Sequence, residues 1–300
     1  GQHNLIKGGS YFSTGNSALK DSRYAFRRHF FQHAGFRYVE GEEPIITTSN
    51  PYETDEQVSQ YIEFHFGSDY HGVPNFAGTC GQLCLKYFAE ATEKRQSRRA
   101  LDLGCAIGRT SFELAREFDH VDGIDFSARF VSAATQLKEN DSKRYTIRDE
   151  GDLFSFKETS LAEHGLADTA HKCDFWQGDA CNLSDKFNNY DLVFAGNLID
   201  RLYEPEKFVS RIHDLINEDG LLVITSPYTW LSEFTEPENW IGGYKRDGEN
   251  FTTLDGLKEL LAPHFDLVDE PRDVPFVIRE TARKFQHSIA QMSVWHKRAK

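Results

Sequence analysis

Residues 99–110 read RALDLGCAIGRT, and residues 121–125 read VDGID. The first stretch has the pattern of a buried strand, a glycine-bearing turn and the polar start of a helix. The second is a short strand that ends in a carboxylate, Asp125. Gly104 and Asp125 are about 20 residues apart, as expected where an acid at the tip of a second strand holds ribose hydroxyls. Gly104 and Gly108 carry no Cβ, so the backbone there can pass close to a ligand.

Working outward, the chain alternates strands and helices in the manner of a doubly wound α/β sheet. Strands are predicted at 100–103, 120–124, 172–177, 190–195, 221–226, near 265–269 and near 289–296. Helices are predicted at 110–118, 127–139 and 205–216. The expected fold is a Rossmann-like, seven-stranded, mostly parallel sheet with an antiparallel last strand. Upstream, Thr54-Asp55-Glu56-Gln57 reads as a capping box opening a helix, with Val58, Tyr61, Ile62 and Phe66 on its apolar side and Gly67 at its end. A second helix is expected from about residue 76 to 93. Two insertions stand out, at about 141–170 and at 227–250. The latter holds Tyr228, Trp230, Phe234, Trp240 and Tyr244, and long loops at the carboxyl ends of strands are where substrate sites usually sit.

The formal net charge of −13 argues against wide contact with DNA or RNA, whose phosphates demand basic surface. No apolar run approaches the roughly 18 residues that span a membrane. No signal peptide is visible, and the five cysteines form no paired CxxC motif, which suits a reducing cytoplasm. No metal site is expected: Cys80 and Cys84 lie one helical turn apart, but no matching pair completes a zinc set. The sole methionine is Met292, so the chain reads as a piece of a longer polypeptide or a processed chain. Residues 23–37, RYAFRRHFFQHAGFR, are basic and aromatic, a pattern that fits nucleic-acid contact or packing against a neighbouring domain.

A cofactor site can be assembled strand by strand. Asp102 stands just before the first turn, where a carboxylate would repel a pyrophosphate but suits an amine or a cation. That favours S-adenosylmethionine (SAM) over NAD. Gly104, Ala106 and Gly108 shape the turn. Asp125 would accept from ribose hydroxyls, with Phe126 beside it. Asp179 and Ala180 follow the third strand, where a carboxylate can accept from an adenine amino group. Asn197 follows the fourth strand and faces the same crevice.

Methyl transfer needs the acceptor's lone pair held about 3 Å from the methyl in a desolvated site. The candidate catalytic residues are Asn197, Asp200 and Arg201. Asp200 could orient a proton and Arg201 could grip a substrate carboxylate, or the two could form a surface ion pair. Tyr61, Tyr228, Tyr244 and Lys245 are the other candidates for binding the substrate. His65 and His71 fit bases or ligands, and equally groups that pack or cap.

The turn resembles the first motif of class I SAM-dependent methyltransferases, with Ala106 where many members have glycine. The resemblance extends further. GGSYFSTGNSALKDSRYAFRRHFFQHAGFR is similar to the closing segment of the iron-dependent sulfoxide synthase domain of ovothiol-biosynthesis enzymes. NPYETDEQVSQYIEFHFG, LDLGCAIGRTSFELA, VDGIDFSARF, FWQGDACNL and GNLIDRLYEP are similar to the methyltransferase fused to that domain. This implies a synthase remnant at 1–43 and a methyltransferase at 44–300. It implies SAM as cofactor, 5-thiohistidine as acceptor, a ring nitrogen as the methylated atom, ovothiol A as product and the missing synthase domain as partner. No iron site carries over to His3, His29 or His33. The alternatives are a methyltransferase for another small amino-acid-like acceptor, and an inactive SAM-binding module that supports the synthase.

Overall fold

The computed structural model describes residues 4–7, 23–26, 52–91 and 98–299. Two short strands come first, β1 (Asn4–Lys7) and β2 (Arg23–Phe26), paired antiparallel. The rest of segment 1–43, including His3, His29 and His33, lies outside the described residues. Helices α1 (Asp55–Phe66) and α2 (Phe76–Ala91) precede the alternating unit. That unit runs β3 (Arg99–Leu103), α3 (Arg109–Leu114), β4 (His120–Asp125) and α4 (Ala128–Asn140). A hairpin follows, β5 (Ser142–Glu150) and β6 (Leu153–Ser160), then β7 (Cys173–Gln177), β8 (Tyr190–Gly196), α5 (Pro205–Arg211) and β9 (Ile216–Ser226). A small hairpin, β10 (Tyr244–Arg246) and β11 (Glu249–Phe251), leads to α6 (Thr253–Leu261). Strands β12 (Phe265–Leu267), β13 (Arg272–Arg279) and β14 (Phe285–Lys297) complete the described chain.

The main sheet has the order β12-β14-β9-β8-β3-β4-β7, with β13 paired onto β14. Strands β9, β8, β3, β4 and β7 are mutually parallel, and β14 is antiparallel to β9, β12 and β13. The doubly wound, mostly parallel architecture is therefore as expected, with one strand beyond the expected seven. Chain order reverses on either side of β3, so the crevice at its carboxyl end is the topological switch point.

Alternation along β3 divides the core. Leu101 and Leu103 join Ile124, Val193, Leu222 and Trp295 on the face covered by α5 and α6. Ala100 joins Val121, Phe112, Phe130 and Leu137 on the face covered by α2, α3 and α4. Both faces are apolar because a parallel sheet is covered on both sides.

Several elements were not anticipated, the β10/β11 hairpin among them. The insertion after α4 is the β5/β6 hairpin, whose inward residues Tyr145 and Ile147 are buried while Phe154 and Phe156 face outward. Helix α6 begins with a reciprocal capping box between Thr252 and Asp255. Strand β13 contains Pro275, a residue that weakens a strand reading because it cannot donate to the ladder. The helix expected at 205–216 is shorter: α5 ends at Arg211, and Ile216 already belongs to β9.

Candidate active site

The crevice floor is the turn after β3. Gly104 and Cys105 donate their amides to the Ile124 carbonyl at 2.8 and 3.1 Å. Gly104 (φ 73°) and Gly108 (φ 83°) both occupy the left-handed region. A Cβ on Gly108 would stand 2.6 Å from the Phe175 ring, so glycine is required twice over there. Ala106 has φ 44° without that freedom. Its amide is held by Asp125, whose Oδ2 accepts it at 2.9 Å while Oδ1 accepts from Ser127 N at 2.8 Å. A short-range carboxylate clamp thus holds a strained alanine in a position suited to glycine. Burial pushes the Asp125 carboxyl up to about 6 against these backbone hydrogen bonds.

SAM fits this end of the crevice. Each Asp125 oxygen accepts one backbone bond and keeps a lone pair for a hydroxyl. Phe126 is half exposed beside it and offers a ring face. The cation at the turn, Arg109, is engaged by Glu113 at 2.9 Å, a poor arrangement for a pyrophosphate. His65, buried on α1, accepts the Arg109 amide at 3.3 Å through Nδ1. Burial, reinforced by Arg109, holds its imidazole down to about 3, so it stays neutral and acts as a helix cap. His71 has φ 56° and sets its ring edge-on to Phe285, a packing role.

Several expected roles change. Asp102 lies beneath the turn, 1 % exposed, and accepts from Ser111 Oγ at 2.6 Å. It faces α3, because strand alternation points it to the α3 side of the sheet. Burial raises its carboxyl to about 7. Asp179 uses Oδ1 to cap the turn that begins at Ala180 and uses Oδ2 to accept from Tyr203. Tyr203 therefore stands beside Asp179, with an exposed ring that the sequence reading passed over.

Asn197 has φ 50° and donates its amide to the Thr225 carbonyl at 2.8 Å. Its Oδ1 accepts from Thr225 Oγ1 at 3.1 Å, which ties the ends of β8 and β9 together. Its side-chain nitrogen has no protein partner among the described residues and is a donor at the crevice.

Asp200 is neither a solvent-facing base nor half of a surface ion pair. It is 0 % exposed and accepts from Ser226 Oγ, Thr229 N, Thr229 Oγ1 and Arg201 Nη1. Burial raises its carboxyl, and Arg201 and the hydrogen bonds oppose this. It locks the loop after β8 to the loop after β9. Arg201 also donates Nη1 to the carbonyls of Asp200 and Thr229, both at 2.8 Å.

The Arg201 guanidinium lies 5.1 Å from the Phe234 ring centroid and close enough to the Tyr52 hydroxyl to favour its ionised form. Tyr52 stacks on Phe234 at 6.3 Å and meets Tyr61 edge-on at 6.0 Å. Tyr61 packs 4.7 Å from Phe130. Burial, chiefly, raises both phenols, and Asp125 adds to this, so the two hydroxyls are neutral donors. Ser127 Oγ bonds the Tyr52 carbonyl at 3.2 Å, which seats this aromatic group beside the Asp125 turn. Tyr52 and Phe234 were missed as site residues. Phe234 belongs to the aromatic insertion, while nothing local marks Tyr52.

The other expected substrate contacts do not converge here. Tyr228 turns its hydroxyl to Gln291 on β14 at 3.0 Å and packs its ring on the core. Tyr244 and Lys245 lie on the exposed β10/β11 hairpin, where Tyr244 packs on Phe251 and Arg246 grips Glu259 of α6. Both side chains are exposed, since neither face of this small hairpin is covered at these positions.

Residues 94–254 match the family model described as a methyltransferase domain. The chain is 27% identical over 145 residues to ajmaline N-methyltransferase of Rauvolfia serpentina, covering 48% of this chain and 40% of that protein. It is 39% identical over 62 residues to phosphoethanolamine N-methyltransferase 1 of Arabidopsis thaliana, covering 20% of this chain and 13% of that protein. The chain thus spans less than half the length of these curated relatives. Among solved structures, magnesium protoporphyrin IX methyltransferase from Synechocystis with bound SAM superposes with a TM-score of 0.48 at 15% identity, covering 82% of this chain and 93% of that one. Phosphoethanolamine N-methyltransferase 2 of Haemonchus contortus in complex with SAM gives 0.40 at 22%, covering 59% and 34%.

Proposed function

As the chain belongs to the family of methyltransferase domains, we propose that it transfers a methyl group from SAM to a ring nitrogen of 5-thiohistidine, giving ovothiol A. The observation that carries this reading is the group Tyr52, Tyr61, Phe234 and Arg201 beside the Asp125 turn. Rings at right angles suit a flat heterocycle, and a guanidinium suits the carboxylate of an amino acid. The resemblance of the surrounding motifs to ovothiol-biosynthesis enzymes supplies the identity of the acceptor.

When bound, SAM supplies an electrophilic methyl on a sulfonium. Asp125 holds the ribose, Phe126 and Tyr203 flank the adenine, and the turn from Gly104 to Gly108 supports the methionine end. A neutral imidazole nitrogen is already nucleophilic, so the protein chiefly orients it and excludes water. Tyr52 and Tyr61, as neutral donors, position the ring and add no negative charge. Asn197 offers its amide nitrogen to the acceptor. Arg201, held by Asp200, fixes the amino-acid end. The same reading assigns residues 1–43 to the synthase domain that precedes the methyltransferase unit at 44–300, with that domain as the partner.

The test is mass spectrometry of a reaction containing this chain, SAM and reduced 5-thiohistidine, with histidine in parallel. One added methyl on thiohistidine alone, with S-adenosylhomocysteine released, is the expected result. Methylation of another small amino-acid-like acceptor moves the reading to that acceptor. SAM binding without any product overturns it in favour of a supporting module.

A further inference from the structure

Helix α1 has two working faces. Tyr61 and His65 look toward the crevice: Tyr61 joins the aromatic group, and His65 caps the helix that follows the cofactor turn. Gln60 and Glu63 look the other way. Glu63 is a buried carboxylate, 2 % exposed, that accepts hydrogen bonds from Lys157 Nζ at 2.8 Å, Tyr145 at 2.6 Å and Tyr70. Tyr145 and Lys157 belong to the inserted β5/β6 hairpin, which pairs with no strand of the main sheet. The same hairpin reaches α1 again through Arg148, which donates to Glu56 at 3.3 Å. Its Asp149 accepts from Arg279 of β13 at 2.6 Å, and Gln60 donates to the Arg279 carbonyl at 3.0 Å. The insertion, α1 and β13 are therefore one cross-braced unit, and Glu63 is its central acceptor.

We propose that Glu63 and the β5/β6 hairpin are a buttress that sets α1 over the acceptor side of the crevice, Glu63 being a positioning residue for Tyr61 and Tyr52. The proposal rests on the acceptor reading above. The backbone bonds of the cofactor turn run among β3, β4 and the intervening loop, not to the hairpin. A buried carboxylate with three donors from three segments fixes an orientation in a way that apolar packing alone does not. It also holds its helix at a defined rotation, which places Tyr61 two residues away on the crevice side. Burial pushes the Glu63 carboxyl up, but hydrogen bonds from Lys157, Tyr145 and Tyr70 bring it below its ordinary value, so it is ionised at neutral pH.

The test uses the full chain with Glu63→Gln, Lys157→Met and Lys157→Arg. Lys157 is partly exposed, so its replacement opens no cavity in the apolar core, while Lys157→Arg keeps a cation beside Glu63. The expected result for Glu63→Gln and Lys157→Met is an acceptor KM raised on the order of tenfold, the size of a modest coupling between sites. The SAM Kd stays within about twofold, and Lys157→Arg restores the KM. Equal loss of SAM and acceptor affinity, or a lowered Tm with unchanged KM, overturns the proposal. Hydrogen exchange on the SAM-bound chain separates it from the acceptor reading. In Lys157→Met, residues 55–66 and 228–235 exchange faster together, because Tyr52 stacks on Phe234. Faster exchange confined to residues 142–160 overturns the buttress even where wild-type chain methylates 5-thiohistidine. If wild-type chain makes no product, the acceptor reading fails and the exchange result decides the buttress by itself.

Discussion

The two sides of the crevice are built in different ways. The cofactor side is local: Gly104, Ala106, Gly108, Asp125 and Ser127 lie within one βαβ unit and bond one another's backbones. The acceptor side draws Tyr61 from α1 and Tyr52 from just before it, Arg201 from the loop after β8 and Phe234 from the insertion after β9. A contiguous turn can be held by its own hydrogen bonds. A group collected from distant segments exists only when the segments that carry it are packed. The acceptor side should therefore be the more sensitive of the two to loosening of α1.

Four substitutions probe that contrast. Arg201→Ala leaves the fully buried Asp200 carboxylate without its cation, so stability should fall by about 3–5 kcal/mol. Acceptor KM should rise well beyond any change in SAM Kd. Denaturant unfolding and calorimetric SAM titration read both effects, and equal losses of SAM and acceptor affinity break the contrast.

Asp102→Asn addresses the floor of the cofactor side. Burial raises the folded Asp102 pKa to about 7, above its unfolded value. The folded chain then binds more protons than the unfolded one between about pH 4 and pH 7. The wild-type contribution is present below that window and is lost as pH rises through it. Relative to the Asp102→Asn variant, wild type should lose a few kcal/mol across the window, measured by urea unfolding at each pH. A flat difference refutes an isolated buried acid at this position. Asp125, raised to about 6, adds a similar but narrower fall in both proteins.

Asp125→Ala should weaken SAM binding by about 1–3 kcal/mol and move acceptor KM less. Unchanged SAM affinity removes the ribose role. Ala106→Gly is the smallest effect: it relieves a left-handed alanine and should raise stability by about 1 kcal/mol, visible as a higher Tm. A lower Tm would mean that the Asp125 clamp already removes the strain.

Much of the fold was legible because it rests on periodicity and caps. The Thr54 side chain does accept the Gln57 amide, and Gly67 does end α1. The β10/β11 segment and α6 were less legible. The Thr252–Asp255 box was present in the sequence, but the run of aromatics before it read as continuous loop. For the site, Gly104, Gly108 and Asp125 came together as their spacing suggested, while Tyr244 and Lys245 did not join. Sequence proximity to aromatic neighbours says nothing about which side of a hairpin a residue faces.

Residue order alone determined the glycine turn, the acid at the tip of β4 and the parallel sheet that presents them, because each depends on neighbours a few residues away or on simple alternation. Tertiary structure alone decided that Asp200 is a buried tie between loops and that Asp102 sits under the turn. It alone brought Tyr52 to Arg201 and Phe234, and Glu63 to Lys157 and Tyr145. Those outcomes turn on which groups lose water together, and water is excluded by whole packed surfaces, not by stretches of sequence.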